Sequence, residues 1–200
     1  MLALGLVAVV AVGVGAFLLG QRANQQTAPT PTTSTSSAPR PVPADFVTYA
    51  DPEAGFSLKH PQTWRRVPNE DLQVPEPPNV VLTPGGLDYV SVRVTDLEGQ
   101  VGPDNIGDLK AVTDAIISDA EVRVLQERSV TVNGMAGYYY LYTFNDAASS
   151  QEGLHAHYFL FRGDKMYAIV FQAVPADAIR RLEPTFDAIR DSFVSTETAG

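Results

Sequence analysis

The sequence predicts an α+β domain in which a mostly antiparallel sheet is flanked by helices as an α/β/α sandwich, preceded by one transmembrane helix and a disordered stalk. Three observations lead to this prediction: an apolar run opens the chain, a Thr/Ser/Pro-rich stretch follows it, and hairpin signals then alternate with two amphipathic helical patterns. The chain has 200 residues, of which 44% are hydrophobic and 18% are charged. This composition supports one packed domain with a tail.

Residues 1–20 contain no charged or polar side chain. Such a run matches the roughly 30 Å hydrocarbon thickness of a bilayer, since a helix rises about 1.5 Å per residue. A cleavable signal peptide has a basic start and a shorter apolar core, whereas the nearest base here is Arg22, after the run. We therefore predict a transmembrane anchor, with a signal segment as the alternative. The protein is then expected at the cell membrane, single-pass, with its folded domain outside the cytoplasm.

Residues 21–44 are rich in Thr, Ser, Pro, Ala and Gln and have no periodic apolar face. This composition predicts a disordered, semi-extended linker. Its hydroxyl groups also offer acceptor positions for O-linked sugars, so glycosylation stays open. The folded domain is predicted to span residues 45–194, and residues 195–200 are predicted to form a disordered tail.

The first part of the predicted domain consists of two hairpins. Alternating apolar residues predict strands at Phe46–Ala50 and Gly55–His60, the second of which ends at Pro61 because proline cannot donate to a ladder. A second pair, Asn79–Leu82 and Leu87–Leu97, flanks a Pro-Gly-Gly turn. Its longer strand has valines on one face and polar residues on the other, which predicts a half-exposed strand.

Two amphipathic helices are also predicted. The first begins with Asp104 as its N-cap, and the second spans Ala176–Phe193 with Pro184 inside it. Apolar residues at spacings of three and four define the stripe of each helix. The stripes consist of Ile106, Leu109, Val112, Ile116 and Ala120 in the first helix, and of Ile179, Leu182, Phe186, Ile189 and Phe193 in the second.

Two further hairpins lie between these helices. Asn133–Gly134 is a strong hairpin signal, and the strand that follows it, Met135–Phe144, is apolar or aromatic on both faces. This pattern predicts a central strand that is covered on two sides. A four-residue turn at Arg162–Lys165 is predicted to join the strands Leu154–Phe161 and Met166–Val174.

Composition excludes several classes of function. The chain has no cysteine, which excludes a disulfide framework, a thiol nucleophile, a Cys-ligated metal centre and a lipidated cysteine. All 23 acidic residues lie from Asp45 onward, so residues 45–200 carry a formal charge of −11, which argues against nucleic-acid binding. The sequence has no Gly-x-Ser-x-Gly, His-Glu-x-x-His or phosphate-binding glycine motif. We predict that the protein is not an enzyme and needs no cofactor.

Four groups of residues carry a family resemblance: an aromatic strand with a Gly-Phe hairpin and a Pro-x-x-Trp exit, a central Asn-Gly hairpin, a turn that leads to a tyrosine, and a final helix. The residues are Tyr49, Asp51, Gly55, Phe56, Ser57, Leu58, His60, Pro61 and Trp64; Asn133, Gly134, Gly137 and Tyr138; Arg162–Tyr167; and Phe186, Ile189, Ser192 and Phe193. In order and spacing they resemble the PsbP-like fold, which is shared by extrinsic photosystem II subunits, a Ran-binding nuclear import factor and exported actinobacterial proteins of the LpqN type.

The resemblance covers Phe46–Val194, about three quarters of the chain, and implies a PsbP-like domain. It also implies a non-catalytic adaptor role, because members of this superfamily do different things and mostly serve as adaptors. The chain departs from the photosynthetic members in its predicted span and stalk, and from the LpqN-type proteins in lacking the lipidated cysteine. Its eleven Arg against three Lys indicate a GC-rich genome such as that of an actinobacterium.

Two sets of side chains are candidate binding sites. His155 and His157 lie two residues apart on a predicted strand, so both imidazoles project from one face. A zinc or copper site would need a third ligand from a neighbouring strand, and the alternative is an ordinary buried polar pair satisfied by hydrogen bonds. Tyr138, Tyr140 and Tyr142 share one face of their strand. These tyrosines either line a ligand groove or pack in the core.

These observations together predict a non-catalytic, membrane-tethered extracytoplasmic adaptor or binding domain. Its partner is expected to be an envelope or membrane protein, with the membrane itself contacted through residues 1–20 and no nucleic acid bound. The alternative is a carrier of a small molecule or a metal ion that uses a cavity near His155 and His157.

Overall fold

The computed structural model describes residues 43–196 apart from positions 73, 103, 121 and 148. The membrane span predicted at 1–20, nearly all of the stalk predicted at 21–44, and residues 197–200 of the predicted tail lie outside the described residues. Within the described part of the chain, none of the helices combines the length and the apolar character that a bilayer crossing requires.

The described residues form two sheets and two α-helices. The strands are β1 (Phe46–Asp51), β2 (Phe56–Pro61), β3 (Arg65–Arg66), β4 (Val80–Gly85), β5 (Asp88–Val101), β6 (Arg123–Val132), β7 (Met135–Asp146), β8 (Gln151–Ala173) and β9 (Val194–Ser195). The helices are α1 (Leu109–Ser118) and α2 (Ile179–Ser192), and single 3₁₀ turns lie at Asn69–Asp71, Ile106–Asp108 and Ala176–Ala178.

All strand pairs of the described chain are antiparallel, which confirms the predicted sheet type. The small sheet has the order β1-β2-β9, and the large sheet has the order β3-β4-β5-β8-β7-β6. Neighbours along the chain are mostly neighbours in space, as expected for hairpin connections. The first half of β5 is buried on both faces, including Tyr89 and Ser91, so the half-exposed character predicted from the sequence applies only to its second half.

Strand β8 is an element of 23 residues that folds back on itself. Its first arm pairs with β7, and its second arm pairs with β5. The two arms lie side by side, because the rings of Tyr158 and Phe171 are 6.0 Å apart and the side chains of His155 and Gln172 are hydrogen-bonded. The hairpin predicted at Arg162–Lys165 is therefore confirmed, with Gly163 at a φ of 61°.

The hairpin between β6 and β7 is confirmed at its predicted turn. Asn133 and Gly134 have φ values of 47° and 79°, as a type I′ turn requires. The Asn133 amide nitrogen also donates to the carbonyl oxygens of Asp191 (2.9 Å) and Phe193 (2.7 Å). The turn therefore holds the carboxyl end of α2 as well as reversing the chain.

Helix α2 covers one face of the large sheet. Leu182, Phe186 and Ile189 of the predicted stripe are buried, and the helix continues through Pro184. The Phe186 ring meets the edge of Trp64 at a centroid distance of 6.2 Å. The burial of these side chains forms the main hydrophobic core.

Helix α1 covers the opposite face, which confirms helices on both sides of the sheet. The predicted cap at Asp104 is wrong, since α1 begins after a 3₁₀ turn and its N-cap residue is Asp108. The most buried positions of α1 are Thr113 and Ile117, which were not in the predicted stripe. Thr113 lies inward because its hydroxyl is 2.7 Å from that of Tyr140.

The folded body extends beyond the predicted boundary at residue 194. Ser195 belongs to β9 and pairs with Phe56 of β2. Its hydroxyl oxygen lies 2.8 Å from that of Tyr167, and the Thr196 amide donates to the Gly55 carbonyl oxygen at 2.9 Å. The first two residues of the segment 195–200 are therefore part of the domain.

The core assignment yields a stability prediction. Phe186→Ala should lower the free energy of unfolding by about 3–5 kcal/mol, because it leaves a cavity between Trp64 and Phe171. Urea unfolding of the full-length chain measures this change, with Val194→Ala as a control because Val194 is 49% exposed. Wild-type stability of the Phe186 variant would show that α2 does not pack as described.

A second prediction concerns Gly137 in β7. A Cβ atom at this position would lie 1.9 Å from the carbonyl oxygen of Phe159, inside the paired strand β8. Gly137→Ala should therefore lower the unfolding free energy by about 1–3 kcal/mol or more, the range for an overpacked core. Gly107→Ala is the matched control, since a Cβ there meets nothing within 4 Å. Equal urea midpoints for the two variants would contradict the close approach of β7 and β8.

Candidate functional site

The predicted site residues converge on the face of the sheet that α1 partly covers. Tyr142 of β7 lies directly opposite His155 of β8 in the strand register, and His157 follows on the same face. Gln172 of the second arm of β8 lies beside His155. All four side chains are buried, with at most 3% of their surface exposed. The sequence prediction that the two histidines share a face is confirmed.

The direction of every hydrogen bond in this cluster follows from one carbonyl. Gln172 Nε2 donates to the Leu87 carbonyl oxygen at 2.7 Å, so Gln172 Oε1 is an acceptor. His155 Nε2 lies 2.6 Å from Gln172 Oε1 and must donate to it. In a neutral ring the other nitrogen, Nδ1, is then an acceptor, and the Tyr142 hydroxyl donates a hydrogen bond to it at 2.9 Å.

The hydrogen bonds of Tyr142 also set the tautomer of His157. Because the Tyr142 hydroxyl hydrogen is used in the bond to His155, its oxygen accepts a hydrogen bond from His157 Nδ1 at 3.3 Å. His157 is therefore the Nδ1–H tautomer, and its Nε2 atom is a bare acceptor. This buried nitrogen has no hydrogen-bond partner among the described residues. The ring stacks on Phe159 at a centroid distance of 4.0 Å, so one of its faces is also occupied.

Burial sets the protonation state of the pair. Desolvation lowers the pKa of His155 from 6.5 to about 4, although the hydrogen bond with Gln172 acts in the opposite direction. Desolvation and, to a smaller extent, the neighbouring His155 lower the pKa of His157 from 6.5 to about 3. Burial also raises the pKa of Tyr142 well above its usual value. Both imidazoles are therefore neutral near pH 7.

The geometry places only one free nitrogen in the predicted metal site. Both nitrogens of His155 and Nδ1 of His157 are hydrogen-bonded, which leaves His157 Nε2. In the part of the chain that the structure describes, no group of three His, Cys, Asp or Glu side chains is arranged to hold a metal ion. The third ligand that the sequence analysis required is not found there, and a metal role for His155 and His157 stays a prediction.

The three tyrosines predicted to line a groove are buried beneath α1 and beside the histidines. The Tyr138 hydroxyl donates to the Ile106 carbonyl oxygen at 2.9 Å, and the Tyr140 hydroxyl donates to Asp114 Oδ1 at 2.6 Å. Burial and this bond to Asp114 raise the pKa of Tyr140 to about 12. Together with Tyr142, these phenols form the interior of the domain. A ligand role for Tyr138, Tyr140 and Tyr142 stays a prediction.

Lys110 of α1 completes the polar contacts above the tyrosines. Its ammonium lies 2.5 Å from Asp114 Oδ1 and within 6 Å of the ring centroids of Tyr138 and Tyr140. Burial tends to lower the pKa of Lys110, but the hydrogen bond to Asp114 and the contacts with Tyr140 raise it overall. A cation therefore covers the face where the sequence suggested a groove.

Sequence reasoning missed two buried polar residues of this region. Gln172 is a lone glutamine in an apolar strand segment, and that isolation was the available signal for a buried hydrogen-bonding role. Asp146 is only 1% exposed, and its Oδ2 atom accepts from the Ser149 amide and hydroxyl at 2.8 and 2.6 Å. Its Oδ1 atom has no partner among the described residues. Nothing in the local sequence distinguishes Asp146 from an exposed turn residue.

The hydrogen-bonded chain predicts a large effect of Tyr142→Phe. This variant leaves His155 Nδ1 without a donor and the His157 Nδ1–H without an acceptor. We expect the unfolding free energy to fall by about 2–6 kcal/mol, since each buried unsatisfied group costs about 1–3 kcal/mol. Tyr49→Phe, which removes a hydroxyl from the half-buried strand β1, is the control in the same urea experiment. A loss no larger than that of the control would contradict the chain of bonds.

The lowered pKa values predict acid sensitivity. Unfolded histidine titrates near 6.5, so between about pH 6.5 and 4 the unfolded chain binds more protons than the folded one. Stability is therefore complete above pH 6.5 and is lost as the pH falls. At pH 5.0 the two rings together should lower the free energy of unfolding by about 4 kcal/mol relative to pH 7.5, at about 1.36 kcal/mol per pKa unit for each ring.

Urea midpoints at the two pH values test this linkage. The double variant His155→Gln, His157→Phe should lose most of the pH dependence, whereas His60→Gln should keep it. These three positions hold all the histidines of the chain. Equal wild-type midpoints at pH 7.5 and 5.0 would show that the rings are not buried in their neutral form.

Comparison with known structures agrees with this architecture. The chain is similar to cyanobacterial PsbP from Synechocystis sp. PCC 6803, with 14% identity and a TM-score of 0.55, over 82% of this chain and 97% of that chain. It is also similar to a protein from Bacteroides thetaiotaomicron, with 11% identity and a TM-score of 0.52, over 75% of this chain and 48% of that chain. At these identities the two likenesses show the fold alone. The comparison with curated proteins gives no match.

The sequence also shows the protein family, whereas the structural similarities show only the fold. The model of the family described as PsbP-like protein matches residues 3–194, which is nearly the whole chain. This match includes both helices, every strand except Ser195 of β9, and the residues on which the resemblance was based. The chain belongs to the PsbP-like protein family.

Proposed function

We propose that this protein is a membrane-tethered, extracytoplasmic adaptor without catalytic activity, which binds a protein of the membrane or cell envelope. One observation carries the proposal: the side chains best suited to chemistry are buried and committed to one another. The hydroxyls of Tyr138, Tyr140 and Tyr142 and both nitrogens of His155 have partners inside the domain. A site built in this way maintains a core and offers little to a substrate. Members of the PsbP-like family are generally non-catalytic, which supports the same conclusion.

The charge and the chain order support a protein partner at a membrane. Residues 45–200 carry a formal charge of −11, which repels nucleic acid and anionic lipid surfaces. The apolar run at 1–20 has the length of a span, and the Thr/Ser/Pro-rich residues 21–44 have the composition of a tether. Such a tether holds a domain at a limited distance from the membrane, where an adaptor would act.

Protease treatment of intact cells tests the location. Added protease should release a fragment that begins within residues 21–44, because an extended linker is cleaved before a packed domain. A cytoplasmic marker protein that stays intact is the control. Recovery of the full-length chain as soluble cytosolic material would contradict the proposed membrane tether.

The second candidate function, a carrier of a metal ion or small molecule, is favoured by the unpartnered His157 Nε2 atom. Calorimetric titration of the full-length chain with Zn²⁺, Cu²⁺ and Ca²⁺ tests this alternative, since a micromolar affinity corresponds to about 8 kcal/mol. Binding that is lost in His157→Phe and kept in His60→Gln would favour the carrier over the adaptor. Absence of binding would leave the adaptor as the better proposal.

A further inference from the structure

Strand β6 is the longest free sheet edge in the described part of the chain. It stands last in the order of the large sheet and pairs only with β7. The opposite edge strand, β3, has two residues, whereas β6 has ten, of which the first seven are exposed. An edge strand presents unpaired backbone N–H and C=O groups along its outer side, which another extended chain can bind.

This edge carries an exposed aliphatic pair. Val124 and Leu125 are 42% and 47% exposed, and they are two of the four large hydrophobic residues that are exposed in the described chain. The register with β7 shifts between Val124 and Gln126, so Leu125 occupies a bulge. Bulges redirect side chains, and edge strands of monomeric proteins usually carry charge instead of aliphatic residues. The pair is therefore suited to contact with another protein.

One charge at the edge has no carboxylate partner among the described residues. Arg123 pairs with Glu152 at 3.4 Å, and Glu127 pairs with Lys110 at 3.6 Å. The Arg128 guanidinium lies 4.7 Å from the ring centroid of Tyr139, and no described carboxylate lies within salt-bridge distance of it. Because residues 45–200 carry a formal charge of −11, this exposed cation favours an acidic group on whatever binds here.

We propose that β6 is a docking edge for an extended segment of a partner protein, which adds a strand beside it. The segment places an aliphatic side chain against Val124 and Leu125 and a carboxylate against Arg128. Because a strand rises about 3.4 Å per residue, these two groups lie about three residues apart in the partner. This inference rests on the proposed adaptor function and names the chemistry of the partner.

A second copy of this chain fits the edge less well. If two β6 strands paired antiparallel with Val124 and Leu125 facing their equivalents, only residues 123–126 would pair, because β6 begins at Arg123. The competing edge, β1, has six residues and one large exposed hydrophobic side chain, Val47. Strand β6 therefore offers both the longer backbone edge and the larger apolar contact.

Site-specific photo-cross-linking of the full-length chain in intact cells tests the proposal. A photo-reactive amino acid replaces Gln126 on β6 or, as the matched position, Thr48 on β1. Mass spectrometry then locates the attachment point on the partner. We expect the adduct at position 126 to fall in a segment that has an aliphatic and an acidic residue about three positions apart.

Variants separate docking at this edge from incidental proximity. Leu125→Asp and Arg128→Glu should each lower the yield of the position-126 adduct about tenfold or more, which corresponds to about 1.4 kcal/mol of binding free energy. Val194→Asp and Arg180→Glu are the controls, because they make the same changes at exposed residues away from β6. A yield that is unaffected by the β6 variants would overturn the proposal.

The remaining outcomes distinguish the two proposals. A partner protein captured only through position 48 would contradict the proposal that β6 is the docking edge but would agree with the adaptor function. An adduct with twice the mass of this chain would show a second copy at the edge and would overturn the proposed partner segment. Adducts with lipid or glycan alone, or no adduct at either position, would contradict both the docking edge and a protein-binding adaptor.

Discussion

The burial of both faces of strand β7 is the constraint on which the rest of the domain depends. Alternate tyrosines of β7 point toward α1 and toward α2, so the strand brings several phenol hydroxyls into the interior. Each buried hydroxyl needs a hydrogen-bond partner, which a residue on an adjacent element must supply. Thr113 and Asp114 on α1 serve Tyr140, and the two histidines serve Tyr142. Tyr142 and the two histidines therefore satisfy one another inside the domain.

Much of this arrangement could be predicted from local sequence. The Asn133–Gly134 turn, the fold-back at Arg162–Lys165 and the stripe of α2 follow from backbone geometry or from periodicity, and each is found in place. Local patterns report local preferences, so they identify hairpins and amphipathic faces well. The pairing of His155 with His157 on one face likewise follows from the two-residue period of a strand.

The parts that local sequence could not give depend on long-range partners. Thr113 looks like a polar position of α1, but it is buried, and besides the local bond to the Lys110 carbonyl oxygen its hydroxyl contacts that of Tyr140, 27 residues away. The orientation of His155 depends on Gln172 of the other arm of β8, whose own orientation is set by the Leu87 carbonyl. A strand pattern could not show whether a third metal ligand is present, because the ligands of a metal site come from several strands or helices that only the fold brings together.

The Asn133 side chain gives the β6–β7 turn a chemical vulnerability. Asn-Gly is the dipeptide in which an asparagine amide is most readily converted to a carboxylate. The small glycine lets its own backbone nitrogen attack the asparagine side-chain carbonyl carbon, ammonia leaves, and water opens the resulting cyclic imide. Here that amide donates both to Asp191 and to Phe193 carbonyl oxygens. Deamidation would replace two donated hydrogen bonds with a negative oxygen facing two carbonyl oxygens, so spontaneous ageing of one residue would release the end of α2 from the hairpin.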